Sequence, residues 1–357
     1  MDWWSTNLST VLGVDARMQR NSNRRVTMKA VAKRAGVSQT TVSYVINGVT
    51  NASISEETRQ RVHGAIEELG YHPNAAARKM RTNRSHLIGF ITDEIATTPF
   101  AGKIFKGAQD AAWANNKLIL LSNTDNNGDL EQTAVKAMLE HQVEGIIYAA
   151  MYHRLIVPPR ALYEAPSVLL NCFCADRSLP SVVSDEVSGG RMATEVLLRK
   201  GHRRIAFANH NAADPGVVGR LEGYKQALAA YGIPFDEDMV CVEIGQADGG
   251  YRCAMRLFQQ ADRPTALFCY NDRMAMGAYD ALRKLKLSIP DDVAVVGFDN
   301  QEIIAAHLHP GLTTLELPHY ELGKWAVEYL LAHIDEAYPL PPVQHVIRCP
   351  LVERASA

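Results

Sequence analysis

Along residues 28–81 the apolar positions recur at helical spacing, whereas beyond residue 86 they gather into short runs separated by amphipathic stretches. In the first region Val31, Ala32 and Ala35 share one face of a short helix, which Gly36 ends because glycine accepts a left-handed cap at little steric cost. Ser38 then caps a second helix whose inward positions are Val42, Val45 and Ile46. Gln39, Thr40, Ser43, Tyr44 and Asn47 are left facing outward, and a third helix and a basic tail follow. Short polar and aromatic groups near a helix N-terminus suit base edges in a DNA major groove. In the second region the pattern predicts strands at 87–92, 118–122, 145–149, 167–170, 182–183, 205–208, 266–269, 293–298 and 313–316. Helical stretches fall between them at 101–115, 130–141, 188–200, 220–231, 249–260, 273–285 and 319–338. Strands alternating with helices imply parallel sheets with right-handed crossovers, and about 270 residues suffice for two such subdomains around a cleft.

The expected fold class is therefore α/β: an all-α helix-turn-helix head followed by two doubly wound parallel-sheet subdomains. Expected boundaries are a disordered extension over 1–26, the head over 27–72, a linker over 73–86 and a body over 87–354. Within the body, 87–185 with 317–344 form one subdomain and 186–316 with 345–354 the other.

Charge separates the same regions. Residues 24–85 carry 11 Lys/Arg against four acidic residues, about +7, while the whole chain is −2. A basic head on an acidic body is the electrostatic footprint of a nucleic-acid module. The six cysteines are scattered through apolar segments without zinc-ligand spacing, so buried free thiols in a reducing cytoplasm are expected, with no metal site and no cofactor. No apolar run reaches the length of a membrane helix and the first 23 residues lack a signal pattern, which places the expected protein in the cytoplasm with no membrane partner.

Ligands of open parallel sheets sit beyond the carboxyl ends of the strands. Asn171, Asn271-Asp272 and Asp299 follow strand-like runs, and Arg220 opens a helical stretch. Amide, carboxylate and guanidinium groups converging on a cleft suit a polyhydroxylated ligand. Each is equally readable as an ordinary cap, Asp272 especially. Walker, His-Glu-x-x-His and Gly-x-Ser-x-Gly patterns are absent, so no catalytic residues are expected.

These residues resemble the lactose-repressor/galactose-repressor (LacI/GalR) family of bacterial transcription regulators over residues 27 to about 354. The resemblance is carried by Val31-Ala-Lys-Arg-Ala-Gly-Val-Ser-Gln-Thr-Thr-Val-Ser43, Ser55-Glu-Glu-Thr-Arg59 and Leu69-Gly-Tyr-His-Pro-Asn-Ala-Ala-Ala-Arg78. Downstream it continues through Gly201-His-Arg-Arg-Ile205, Arg220-Leu-Glu-Gly223, Asn271-Asp-Arg-Met-Ala275, Gly297-Phe-Asp299 and Leu312-Thr-Thr314. It implies a homodimer on a pseudo-palindromic operator and a periplasmic-binding-protein-like body holding a small-molecule effector. Gln39, Thr40 and Tyr44 would then read the major groove, with Ser38, Thr41, Ser43 and Asn47 positioning the helix. Residues 74–80 correspond to a hinge helix in the minor groove, giving DNA roles to Ala77, Met80 and Arg81. Met80 stands at a wedge position where the family usually has leucine, and the 48–54 connection is about two residues longer than is common.

In the body the resemblance assigns effector contacts to Arg220, Asn271 and Asp299, adds Asn171 and Asp185, and offers Phe100 as an apolar wall. Asp214 and Gly216 replace the basic and hydroxyl side chains a purine-binding member presents, and Gly245 stands where several relatives place an aromatic ring. The reading is a repressor gated by a sugar or sugar derivative. Its alternatives are a nucleoside- or purine-responsive regulator of the same family, a sugar-binding protein that does not bind DNA, and an enzyme using the cleft. The chain ends without heptads for a tetramer-forming tail.

Overall fold

A computed structural model of the chain describes residues 26–49, 53–72, 84–95, 98, 101–336 and 339–357. It comprises two compact units, Met1–Arg84 and Ser85–Ala357. Ala77, Met80, Arg81 and Phe100, the hinge segment 74–80, residues 1–25 of the expected extension and residues 50–52 of the long connection lie outside the described residues.

In the first unit α1 (Met28–Ala35), α2 (Gln39–Ile46) and α3 (Glu56–Leu69) are delimited by their caps. Thr27, Ser38 and Ser55 each accept a first-turn backbone N–H through the side chain. Gly36 stops α1 at φ 67°, a left-handed conformation that lets α2 start three residues later, at Gln39. Val31, Ala32, Ala35, Val42, Val45, Val62, Ala65 and Tyr71 form one small core. That core consumes the inward stripe of all three helices and leaves the opposite face of α2 in solvent.

The second unit contains two six-stranded sheets. The first sheet has the order β11-β5-β4-β3-β1-β2, built from β1 (Leu87–Thr92), β2 (Leu118–Asn123), β3 (Gly145–Ile156), β4 (Ser167–Cys174), β5 (Ser181–Ser184) and β11 (Gln344–Ile347). The second has the order β12-β10-β9-β8-β6-β7, from β6 (Ile205–His210), β7 (Val240–Glu243), β8 (Ala266–Cys269), β9 (Ala294–Asp299), β10 (Thr313–Glu316) and β12 (Leu351–Val352). All pairings are parallel except β10 with β12. Parallel strands need both faces covered, and the crossover helices supply that cover. The helices are α4 (Gly102–Ala114), α5 (Gly128–Glu140), α6 (Glu186–Arg199), α7 (Pro215–Ala230), α8 (Ala247–Phe258), α9 (Asp272–Lys284), α10 (Glu302–Ala305) and α11 (His319–His333). The α/β class with two doubly wound sheets is thus the observed one.

Three features depart from the sequence-based expectation. The edge strands β7, β11 and β12 and the short α10 were not anticipated, because a strand paired on one side needs no continuous apolar run. Strand β11 pairs with β5, Gln344 opposite Ser181, so residues 345–347 belong with the first sheet and the return to the second follows them. Strand β3 runs on to Ile156, seven residues past its expected end, through a register shift between Ala149 and Arg154 against β4. That irregularity aims residues 151–153 at the cleft.

Candidate functional site

On α2 the sequence-predicted residues fall into two groups. Gln39, Thr40 and Tyr44 are exposed. Ser38, Thr41, Ser43 and Asn47 are engaged within the helix. Ser38 Oγ accepts the Thr41 N–H at 3.0 Å and lies 2.9 Å from Thr41 Oγ1, while Asn47 Nδ2 donates to the Ser43 carbonyl. Tyr44, 41% exposed, is the largest uncovered side chain on this face. The outward stripe is therefore free to meet a groove, with a rim of groups that stiffen the helix.

In the second unit a cavity of about 400 Å³ lies where strand ends of the two sheets face each other. From the first sheet it receives Met151, Tyr152 and His153 of β3 and Asn171 of β4. From the second it receives His210, Asp214, Arg220, Gly245, Gln246, Tyr270, Asn271, Arg273 and Asp299, with Glu186 at the start of α6. Leu317 and His319 close it where the chain passes back between the sheets.

Arg220 organises the second-sheet wall. Its Nε donates to Glu186 Oε2 at 2.8 Å, one terminal nitrogen donates to the Tyr270 carbonyl, and the same nitrogen stands 3.5 Å from Asp299 Oδ1. The guanidinium plane packs 3.7 Å from the Phe298 ring centre and 4.4 Å from that of Tyr270. All three charged partners are buried, so their charges persist only as a network. Helix packing makes it possible. A Cβ on Gly190 would lie 2.4 Å from the Arg220 carbonyl oxygen and one on Gly223 2.2 Å from that of Val187, so α6 and α7 approach closely enough for Glu186 to reach Arg220.

Burial and Arg220 act oppositely on the neighbouring carboxylates. Burial penalises the Glu186 carboxylate, but the Arg220 charge, the nearby His153 ring and the Arg220 hydrogen bond together outweigh it and hold the pKa below the ordinary value. In Asp299 burial wins over Arg220 and Gln301, and the pKa is pushed up to about 6. Asp299 ends β9 at φ 104°, with Oδ2 accepting from Gln301 Nε2 at 3.1 Å.

Asn171 and Asn271 are both structural and cavity-lining. Asn171, at φ 56°, donates to the carbonyls of Ala150 and Met151 at 3.2 and 3.0 Å, bracing the β3 irregularity. Asn271 caps α9 through the Met274 N–H at 2.8 Å and donates to the Gly245 carbonyl at 3.0 Å. The expectation for Asp185 is corrected. Its carboxylate turns back to cap α6 at the Ser188 N–H, 2.9 Å away, and the adjacent Glu186 lines the cavity instead. Asp272 stands outside the lining. Its oxygens accept from Thr314 Oγ1 and the Gln301 N–H, both at 2.6 Å, and burial raises its pKa.

Sequence reasoning missed Glu186, His153, Tyr270 and Arg273, and gave His210 no role in the cleft. His210 ends β6 half-buried, its Nδ1 accepting the Asn211 N–H at 2.9 Å and its ring 5.3 Å from Tyr270. The carboxylates of Glu186, Asp214 and Asp299 outnumber the guanidiniums of Arg220 and Arg273, so the lining repels an anion and accepts a neutral polar molecule. All six cysteines are buried free thiols. Among the described residues no His/Cys/Asp/Glu cluster fits a metal ion, and no helix is long and apolar enough to cross a membrane.

The family model described as bacterial regulatory proteins, lacI family, matches residues 27–74, and the periplasmic binding protein-like domain matches residues 194–357. The HTH-type transcriptional repressor PurR of Vibrio atlanticus is 32% identical over 314 residues, covering 87% of this chain and 92% of that one. The chain belongs to the lacI family of bacterial regulatory proteins. The ribose operon repressor of Escherichia coli is 32% identical over 336 residues, covering 93% of this chain and 99% of its own. The structure of the Lac repressor dimer bound to operator and the anti-inducer ONPF superposes with a TM-score of 0.74 at 27% identity, covering 93% of this chain and 99% of that one. As a lacI-family member this protein is a DNA-binding transcriptional repressor under effector control, not an enzyme.

Proposed function

We propose that this repressor binds a pseudo-palindromic operator as a homodimer and that a neutral sugar or sugar derivative in the 400 Å³ cavity switches its operator affinity. The observation that carries the ligand reading is the Glu186–Arg220–Asp299 network beside Asn171 and Asn271. It offers carboxylate acceptors and amide and guanidinium groups within one cavity, as vicinal hydroxyls require. A purine reading is not favoured. Asp214 spends its Oδ1 on capping α7 at the Val217 N–H, and Gly216 has no side chain to offer.

On the DNA side, Gln39, Thr40 and Tyr44 read base edges, while Ser38, Thr41, Ser43 and Asn47 hold the helix in register. Ala77, Met80 and Arg81 act in the minor groove, with Met80 as the wedge. The effector works only through its different affinity for the DNA-competent and incompetent states. The test of the ligand reading is a thermal-melt and calorimetric screen with D-ribose, D-galactose, D-glucose, maltose, sucrose and cellobiose beside adenosine and guanine. A sugar that binds wild type and fails to bind an Arg220→Met variant supports the proposal. Binding of the nucleobase or nucleoside alone, or sugar binding indifferent to Arg220, overturns it.

A further inference from the structure

Two residues that line the cavity each carry a buried nitrogen with no hydrogen-bond partner among the described residues: His153 Nδ1 and Arg273 Nε. They lie on opposite walls. His153 belongs to the irregular part of β3 in the first sheet, and Arg273 to the first turn of α9 over the second. His153 is held in place without using its Nδ1. Its side chain is only 12% exposed, its ring packs edge-on against Phe173 at 5.6 Å, and Nδ1 stands 3.8 Å from Glu186 Oε1, beyond hydrogen-bond reach. Arg273 is half-buried, and its charge acts on Asp299 without an ion pair between them. Buried polar atoms are nearly always paired, so two orphans on residues that line one cavity point to an occupant that pairs both once the side chains turn toward it.

We infer that His153 and Arg273 are specificity-determining effector contacts, reading two oxygens of one neutral polyhydroxylated ligand from opposite walls of the cleft. This inference rests on the sugar reading proposed above. Arg273 Nε can only donate, so it takes a ring, carbonyl or hydroxyl oxygen as acceptor; His153 Nδ1 pairs with a hydroxyl in either sense. Because the two residues come from different sheets, a ligand engages both only when the walls are close together. The same pair therefore selects the ligand and ties its binding to closure. A site built to hydrogen-bond a hydroxyl discriminates strongly against an analogue that lacks it, because its own polar atoms are then left unpaired.

The experiment is isothermal calorimetry of the full-length protein with whichever sugar of the named panel binds wild type. The variants are His153→Ala, His153→Asn and Arg273→Met, with circular dichroism of each unliganded variant as the fold control. His153→Ala and Arg273→Met are each expected to weaken binding at least about tenfold, with His153→Asn, which restores a polar atom near Nδ1, recovering part of the loss. Affinity within twofold of wild type in either His153→Ala or Arg273→Met overturns the two-walled contact while leaving the sugar reading intact. Absence of sugar binding by wild type overturns that reading and this inference with it.

Discussion

Replacing Asp299 by Asn separates the cost of a buried charge from its use. The carboxyl is buried at the end of β9, and its pKa of about 6 stands roughly two pH units above the ordinary aspartate value. A raised carboxyl pKa means that the folded state binds more protons than the unfolded state between about pH 4 and 6, so this group's contribution to stability falls as pH rises through that window. Over the full window the loss amounts to about 3 kcal/mol, of which about 2 kcal/mol falls between pH 4.5 and 8. Asn cannot titrate. The stability of Asp299→Asn relative to wild type is therefore expected to grow by about 2 kcal/mol from pH 4.5 to 8, whatever its fixed offset. Taking the difference cancels the part of the raised Asp272 pKa that burial causes, while the part owed to the Asp299 charge is lost in the variant and adds to the trend in the same direction; Glu186, whose pKa is lowered, acts at lower pH. Urea unfolding at half-unit pH steps measures it. The same substitution is expected to weaken sugar binding at pH 8 at least about tenfold, since the amide presents one acceptor where the carboxylate presents two. A stability difference flat with pH would refute the reasoning about burial, and undiminished sugar affinity would refute the role in the cavity.

Other perturbations probe separate links. Gly223→Ala places a Cβ against the Val187 carbonyl and should destabilise the second unit by about 1–3 kcal/mol and weaken effector binding by separating Glu186 from Arg220, both read by melting and calorimetry. Lys117→Met leaves Glu144, its 2.5 Å partner, as a buried unpaired carboxylate that also accepts the His86 N–H; urea unfolding should show a loss of about 3–5 kcal/mol. Tyr44→Ala should lower operator affinity by about 1–3 kcal/mol and relax sequence preference at one base pair, measured by competition with operator variants. Met80→Ala should weaken operator binding strongly while sparing effector binding; unchanged operator affinity in a gel-shift titration would remove the wedge.

What was legible in the sequence follows from what periodicity encodes. The three helices of the head were readable because Gly36 and Ser38 punctuate an apolar stripe that one small core consumes. Arg220, Asn271 and Asp299 were readable because buried parallel strands are apolar until they end, so the first polar residue marks the cleft. Asp185 and Glu186 were not separable on that basis. Both begin α6, and only the backbone decides that the shorter acid turns back as cap while the longer one reaches Arg220. His153 was hidden for another reason: the register shift of β3 is a property of pairing with β4, and no local pattern announces it. The edge strand β11 was likewise silent, since Gln344-His-Val-Ile347 is half polar and becomes a strand only beside β5.

The most direct test of the central claim is fluorescence anisotropy with labelled duplexes from the DNA around the gene itself, at fixed salt, with and without the sugar found by calorimetry. The account predicts saturable binding to one pseudo-palindromic duplex, at least about a thousandfold tighter than to scrambled DNA, with a midpoint displaced by the sugar in wild type and fixed in Arg220→Met. Binding that is weak, salt-labile and equal on all duplexes, or a sugar effect that survives in Arg220→Met, would contradict it.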